Sequence, residues 1–261
     1  MSTLEALWLG IVQGLTEFFP VSSSGHLVLF QEWFGDGAGE GLLFEVGVHV
    51  ATLLAIVVFY RERIAALVRG LFSAQVDAWR YAAKLGVATV PAVAVGLLAR
   101  NWVETAFDAP AVTGVGLLVT GTILFTTRFT QKNAHAPEPG WWVALGIGCA
   151  QALAILPGIS RSGSTVAMAL ALGVAPLAAA EFSFLLGIIA ISGAAVLILP
   201  DLSGMGSEGW TALGLACGAA LVAGLFALRA FVWLLERRAF YAFAYYDWAV
   251  GAAFLAWLAL G

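Results

Sequence analysis

The sequence predicts an all-α polytopic membrane protein, built as an inverted-topology repeat of six transmembrane helices plus two re-entrant helix-loop-helix hairpins. Three observations carry that expectation. Hydrophobic types make up 61% of the 261 residues and charged types 11%, where a soluble domain carries about 25% charged residues. The mean hydropathy of +0.94 agrees. Two long apolar stretches are each interrupted at the centre, and the few basic residues are grouped unevenly along the chain. This composition excludes disordered, collagenous, disulfide-scaffold and soluble-enzyme classes, and a net charge of −4 gives no sign of a nucleic-acid partner.

A bilayer-crossing helix needs about 20 predominantly apolar residues. Six segments meet the test: Leu42–Tyr60, Leu85–Arg100, Pro110–Arg128, Ala178–Leu199, Trp210–Trp233 and Phe240–Leu260. The stretch Leu4–Phe34 is broken by TEFFPVSSSGH, and Trp142–Leu172 by LPGISRSGST. Pro, Gly and runs of Ser end helices, and each half-helix is too short to cross alone. Cys149 and Cys217 lie far apart in apolar runs and read as buried small hydrophobes. Trp141, Trp142 and the FYAFAYYDW stretch read as interfacial anchors. Glu5 and the lack of a basic n-region argue against a cleaved signal peptide.

The basic residues choose the topology. Arg61, Arg63, Arg69, Arg80 and Lys84 cluster in one loop, which the positive-inside rule places in the cytoplasm. Counting spans onward puts Arg128 and Lys132 inside. Were the second broken segment a full crossing, Arg237 and Arg238 would fall outside and the loop with Asp201 and Glu208 inside. A segment that enters and leaves on one face reverses both. Re-entrant hairpins therefore satisfy the charge pattern, with both termini external.

Aligning Leu4–Val28 with Trp142–Val166 at an offset of 138 gives nine identities in 25 positions, where chance gives roughly two or three. They include Gln13/Gln151, Leu15/Leu153, Ser22/Ser160, Ser24/Ser162 and Gly25/Gly163. Repeat 1 spans about residues 1–132 and repeat 2 about 141–261 of one membrane domain. Each holds one broken hairpin and three spans. Three is odd, so the second copy is inverted, and such folds place their sites where discontinuous helices meet near the midplane.

Irregular backbone at membrane depth is tolerated only where protein or a wet cavity satisfies it, and ionisable groups there mark sites. The first break offers Gln13, Thr16, Glu17, Ser22, Ser23, Ser24 and His26; the second offers Ser160, Arg161, Ser162, Ser164 and Thr165. Arg161 brings a permanent cation with a fork of donors suited to phosphate oxygens. Ser-Gly turns that open helices aim N–H groups at the same point. Glu17 and Gln13, four apart on one helical face, are oxygen donors for a hard divalent cation. His26 can act as acid, base or nucleophile, and Ser23 can attack phosphorus once deprotonated. That combination suits phosphoryl hydrolysis. Simpler roles compete: N-caps for the serines, a counter-ion to Glu17 for Arg161, and a carbonyl partner for His26. Glu45 and Glu181 favour helix starts, His49 reads as supporting or structural, and His135 sits in a polar loop.

QGLTEFFPVSSSGH together with LPGISRSGST resembles the undecaprenyl-diphosphate phosphatase family of the bacitracin-resistance type. That family's pattern is a Glu or Gln, three residues, a Glu, then PVSS-x-GH, with PG-x-SRS-x-x-T later. The likeness continues through FEVGVHVATLLAIVVFYRER and AAEFSFLLGIIA to AFYAFAYYDW, nearly the whole chain. The resemblance implies a metal-dependent phosphatase (Mg2+ or Ca2+) of the bacterial inner membrane that removes the terminal phosphate of a polyprenyl diphosphate lipid, with paired re-entrant helices and often a homodimer. By position it implies Glu17, Ser23, His26 and Arg161 as catalytic, and Gln13 and Glu17 at the metal, with Gln13 where some members have Glu. It implies substrate contacts from Ser22, Ser24, Ser160, Ser162 and Thr165. Between Ser23 and His26 the attacking atom stays open. The pocket is expected to open externally. A polyprenyl-phosphate flippase using the same pocket without cleavage, and an intramembrane serine protease using Ser23 and His26, are the rival readings.

Overall fold

The computed structural model describes residues 3–34, 42–198 and 207–260. Twelve α-helices run through them, with short 3-10 turns. Among the described residues five helical segments are long and apolar enough to cross a membrane: Val76–Leu98, Pro110–Asn133, Pro176–Gly193, Trp210–Glu236 and Phe240–Leu260. Their outward faces carry Leu97, Val222, Phe226 and Leu260, all exposed. Helices apolar on the outside as well as the inside are solvated by lipid, so the chain is an all-α polytopic membrane protein.

Both interruptions fall where Pro, Gly and Ser crowd the sequence. Helix α1 (Thr3–Phe18) gives way to α2 (Ser23–Phe34), and α8 (Trp141–Leu153) to α9 (Arg161–Ala171). The remaining long elements are α3 (Leu42–Phe59), α5 (Val76–Leu98), α7 (Pro110–Thr130), α10 (Pro176–Ile198), α11 (Ser207–Glu236) and α12 (Phe243–Leu260). Their contacts are reciprocal under the 138-residue offset. Helix α1 packs along α11 while α8 packs along α5, and α3 crosses α10 as α7 crosses α12. Gly10 and Gly148, one of the identical pairs, make equivalent approaches. A Cβ on Gly10 would lie 2.2 Å from the Ala216 carbonyl oxygen, and one on Gly148 2.5 Å from that of Ala88. Only glycine lets these backbones touch.

Several expectations need correction. The basic stretch after α3 is not a loop: Arg61, Arg63 and Arg69 lie on α4 (Arg61–Phe72), and α5 begins at Val76 rather than near Leu85. Lys84 is therefore helical and buried, with its ammonium 2.7 Å from Glu138. Cys149 is exposed rather than buried, and Cys217 is half-buried where it packs on a core cluster around Ala216 and Ala220; the lipid-facing side of α8 accepts a small apolar residue as well as a core does. The FYAFAYYDW stretch does not lie wholly at an interface. Phe240 and Asp247 are fully buried, because this segment packs against α7. Trp141 and Trp142 are exposed, as anchors would be. Asp201 and the Glu45 and Glu208 side chains lie outside the described residues. Glu181 does more than open a helix: it accepts from the Arg63 guanidinium at 2.8 Å and from the Tyr81 hydroxyl at 3.2 Å, tying α10 to α4 and α5.

Candidate active site

The turn between α1 and α2 occupies Phe19–Ser22. Ser22 sits in the left-handed region with φ 63°, an uncommon conformation for a non-glycine residue that is worth a look when it falls at a site. Its hydroxyl accepts from the Gly25 amide at 3.2 Å, which caps the new helix. In the second break Ser160 makes the equivalent cap on the Gly163 amide at 3.1 Å, with ordinary φ −71°. The hydroxyl pairs Ser22/Ser24 and Ser160/Ser162 both stand 3.3 Å apart.

Glu17, at the end of α1, is the centre of the site. Its side chain is 6% exposed, so its charge must be met by protein groups. The Arg161 Nη2 donates to Oε1 at 3.0 Å. Oε2 accepts from Ser23 Oγ at 2.9 Å and from Gln13 Nε2 at 3.1 Å, and His49 Nε2 lies 3.7 Å away. Arg161 reaches across from the start of α9 because α10 has no side chain in its path. A Cβ on Gly187 would fall 1.9 Å from Arg161 Nη1. That Nη1 is buried and has no hydrogen-bond partner among the described residues.

A cavity of about 400 Å³ adjoins this cluster. Its polar wall comprises Thr16, Glu17, Ser22, Ser23, Ser24, His49, Ser160 and Arg161, and its apolar wall includes Val46, Phe107, Ile155 and Ile191. Glu17, Ser23, Ser22, Ser24, Ser160 and Arg161 are thus brought together from both halves. Ser162 and Thr165 are not on that wall. Ser162 donates to the Phe18 carbonyl at 3.1 Å, and the Thr165 hydroxyl bonds Arg161 O at 2.7 Å and Ser183 at 2.6 Å. Both hold the frame around Arg161.

His26 also stands apart from the cavity wall. Its Nδ1 is 2.9 Å from the Ser22 carbonyl and its Nε2 2.7 Å from the Tyr246 hydroxyl. A carbonyl only accepts, so Nδ1 carries the proton and Nε2 is capped by the phenol. Tyr246, Gly187 and Thr120 were not singled out from sequence. Thr120 donates to Gly158 O at 2.8 Å and accepts from Ser160 N at 3.0 Å, fixing the second break. Gly187 and Tyr246 sit in apolar helices whose sequence carries no mark of the contact they make.

Fold and site together define an integral-membrane protein with a cavity, lined by hydroxyls, a carboxylate and a guanidinium, between two interrupted helix pairs. The bacitracin resistance protein BacA family model matches residues 6–253, and the chain belongs to that family. Its relatives include the undecaprenyl-diphosphatases of Rubrobacter xylanophilus, 40% identical over all of both chains, and of Desulforapulum autotrophicum, 39% identical over 96% of each. That of Novosphingobium aromaticivorans is 37% identical over 98% of each.

Proposed function

We propose that the chain hydrolyses undecaprenyl diphosphate to undecaprenyl phosphate and inorganic phosphate, recycling the lipid carrier of cell-wall synthesis in the bacterial inner membrane. The observation that carries the mechanism is the line Ser23–Glu17–Arg161, with contacts of 2.9 and 3.0 Å. Glu17 Oε2 takes the Ser23 hydroxyl proton as Oγ attacks the terminal phosphorus. The bond from that phosphorus to the bridging oxygen breaks, and undecaprenyl phosphate leaves with the bridging oxygen. Water then cleaves the phosphoserine, releasing inorganic phosphate. Arg161 has five N–H donors and gives one of them to Glu17, so the guanidinium retains donors for the charge on the equatorial oxygens. Ser24 and Ser160 line the head-group cavity, and Val46, Phe107 and Ile191 meet the first isoprene units.

The donor set accommodates a divalent cation only together with the substrate. Among the described residues no three His, Cys, Asp or Glu side chains converge. Glu17 is one carboxylate, and Gln13, whose Nε2 is turned to Glu17, keeps its amide oxygen for a ligand. Gln13 and Glu17 would hold Mg2+ or Ca2+ jointly with diphosphate oxygens, which complete the oxygen shell such ions need. Bound there, the cation supplies positive charge to the phosphate oxygens. Chelation is expected to lower phosphate release, and Mg2+ or Ca2+ to restore it.

The cavity lies where α3 begins and α10 ends, and Arg63 lies at the opposite end of both helices beside Glu181. With that basic end cytoplasmic, the mouth is external. Phosphate release from undecaprenyl diphosphate by the purified protein, against Arg161→Ala, tests the whole reading. Equal release from both proteins refutes it. A transporter reading draws on one observation. A second cavity of about 410 Å³, lined by Leu15, Thr16, Phe19 and Tyr246, lies on the other side of the first turn, and Thr16 borders both. Lipid-head movement in vesicles without phosphate release would favour it.

A further inference from the structure

The two interruptions are each held by a helix of the opposite half. Helix α7 secures the second one through Thr120, which bridges Gly158 O and Ser160 N. Helix α12 secures the first through two residues one turn apart. The Phe243 ring packs on Phe19 with centroids 5.2 Å apart. Tyr246 stacks on His26, centroids 5.8 Å apart and planes within 7°, while its hydroxyl meets Nε2 at 2.7 Å. His26 in turn holds the Ser22 carbonyl through both Nδ1, at 2.9 Å, and its own backbone amide, at 3.1 Å. Ser22 is the residue in the left-handed region, and Ser23, next in the chain, aims its hydroxyl at Glu17.

We infer that Tyr246 is a positioning residue for phosphoryl transfer. Donating its phenolic proton to Nε2, it fixes His26 in the Nδ1–H tautomer, which holds the strained Ser22 carbonyl and thereby aims Ser23 Oγ at Glu17. The assignment rests on the phosphatase reading with Ser23 as nucleophile. It follows that His26 Nε2 does not face the substrate. The lone pair that a histidine nucleophile needs is occupied by the phenol. A tyrosine so placed acts on the reaction through geometry, so its loss lowers turnover and leaves substrate affinity alone.

The test is Tyr246→Phe, which keeps the stacked ring and removes only the hydroxyl, measured in the full-length detergent-purified protein with undecaprenyl diphosphate. The expected result is a kcat lowered about tenfold with KM unchanged, and the double variant Tyr246→Phe/His26→Ala no slower than His26→Ala alone. With three histidines in the chain, the imidazole 15N spectrum gives a reading independent of activity. In Tyr246→Phe the His26 Nε2 resonance moves and the lines of His49 and His135 stay. Wild-type kcat in Tyr246→Phe, or losses that multiply fully with that of His26→Ala, would overturn the inference. Absence of phosphate release from the unsubstituted protein would instead refute the phosphatase reading, so the two failures are separable.

Discussion

The two interrupted hairpins share their caps and close glycine approaches, yet they carry different burdens. The second one is held largely by other elements: Ser160 caps it, Ser162 bonds the Phe18 carbonyl, Thr165 bonds Ser183, and Thr120 of α7 bridges the turn, while Ser164 Oγ and the Gln151 amide are buried without a hydrogen-bond partner among the described residues. It contributes one reactive group, Arg161, at the first residue of α9. The first hairpin carries the carboxylate Glu17, the hydroxyl of Ser23, the histidine and the one non-glycine residue of the two breaks with positive φ. Of the groups assigned to the proposed reaction, the first hairpin supplies the carboxylate and the hydroxyl, and the second supplies the guanidinium. The positive-φ residue, Ser22, lies next to Ser23, the hydroxyl assigned to that reaction.

The contrast can be broken most severely on the first side. Ser23→Ala and Glu17→Gln are each expected to cut phosphate release by at least about a thousandfold, because the proposed nucleophile and base would act as one unit. The double variant is expected to be no worse than either single one. Next comes Gly187→Ala, whose methyl would collide with Arg161 Nη1. Turnover of a phosphate substrate should fall about a hundredfold as the guanidinium is displaced, while Gly193→Ala, with open space around it, leaves turnover unchanged. The smallest effects belong to the capping and carbonyl-bonding hydroxyls of the second hairpin. Ser160→Ala loses an N-cap and should cost about 1 kcal/mol of stability. Ser162→Ala should cost a similar amount, about 1 kcal/mol, for one hydrogen bond. Both are read by thermal melting in detergent, and Ser162→Ala should stay within about twofold of native kcat. A large kcat loss in Ser162→Ala with an unchanged melt would place that hydroxyl on the substrate and dissolve the contrast.

What the sequence made legible follows the range of the interactions involved. The breaks were readable because Pro, Gly and Ser act within a few residues, and α2 and α9 start within those motifs. Glu17, His26 and Arg161 stand out because charge is scarce in apolar helices, and the meeting of the two breaks is expected from the repeat. Placement across long distances was not readable. His26 is expected from sequence as acid, base or nucleophile or as the partner of a carbonyl; its Nδ1 does meet the Ser22 carbonyl, but its Nε2 reaches 220 residues along the chain to Tyr246. Nothing in an aromatic run distinguishes a ring facing lipid from one stacked on an imidazole. Ser162 and Thr165 carry the right atoms for phosphate, and only the positions of Phe18 O and Ser183 show that those atoms are already engaged. Amphipathic α4 hid behind its charges, since a basic stretch between spans reads as a loop unless its 3.6-residue period is checked.

The Glu17–Arg161 contact has a consequence for selectivity. A guanidinium already seated on a carboxylate behaves as a receptor occupied by its own competitor. An incoming anion shares Arg161 with Glu17 and takes only the donors that Glu17 leaves free. A singly charged headgroup adds little to the carboxylate already there, whereas a diphosphate brings more charge and more oxygens to those donors. On the proposed reaction, the internal competitor would set a threshold against the monoanionic lipids of the bilayer. It would also weaken the hold on the monophosphate once the bond is cut, so that one ion pair would serve discrimination at arrival and release at departure.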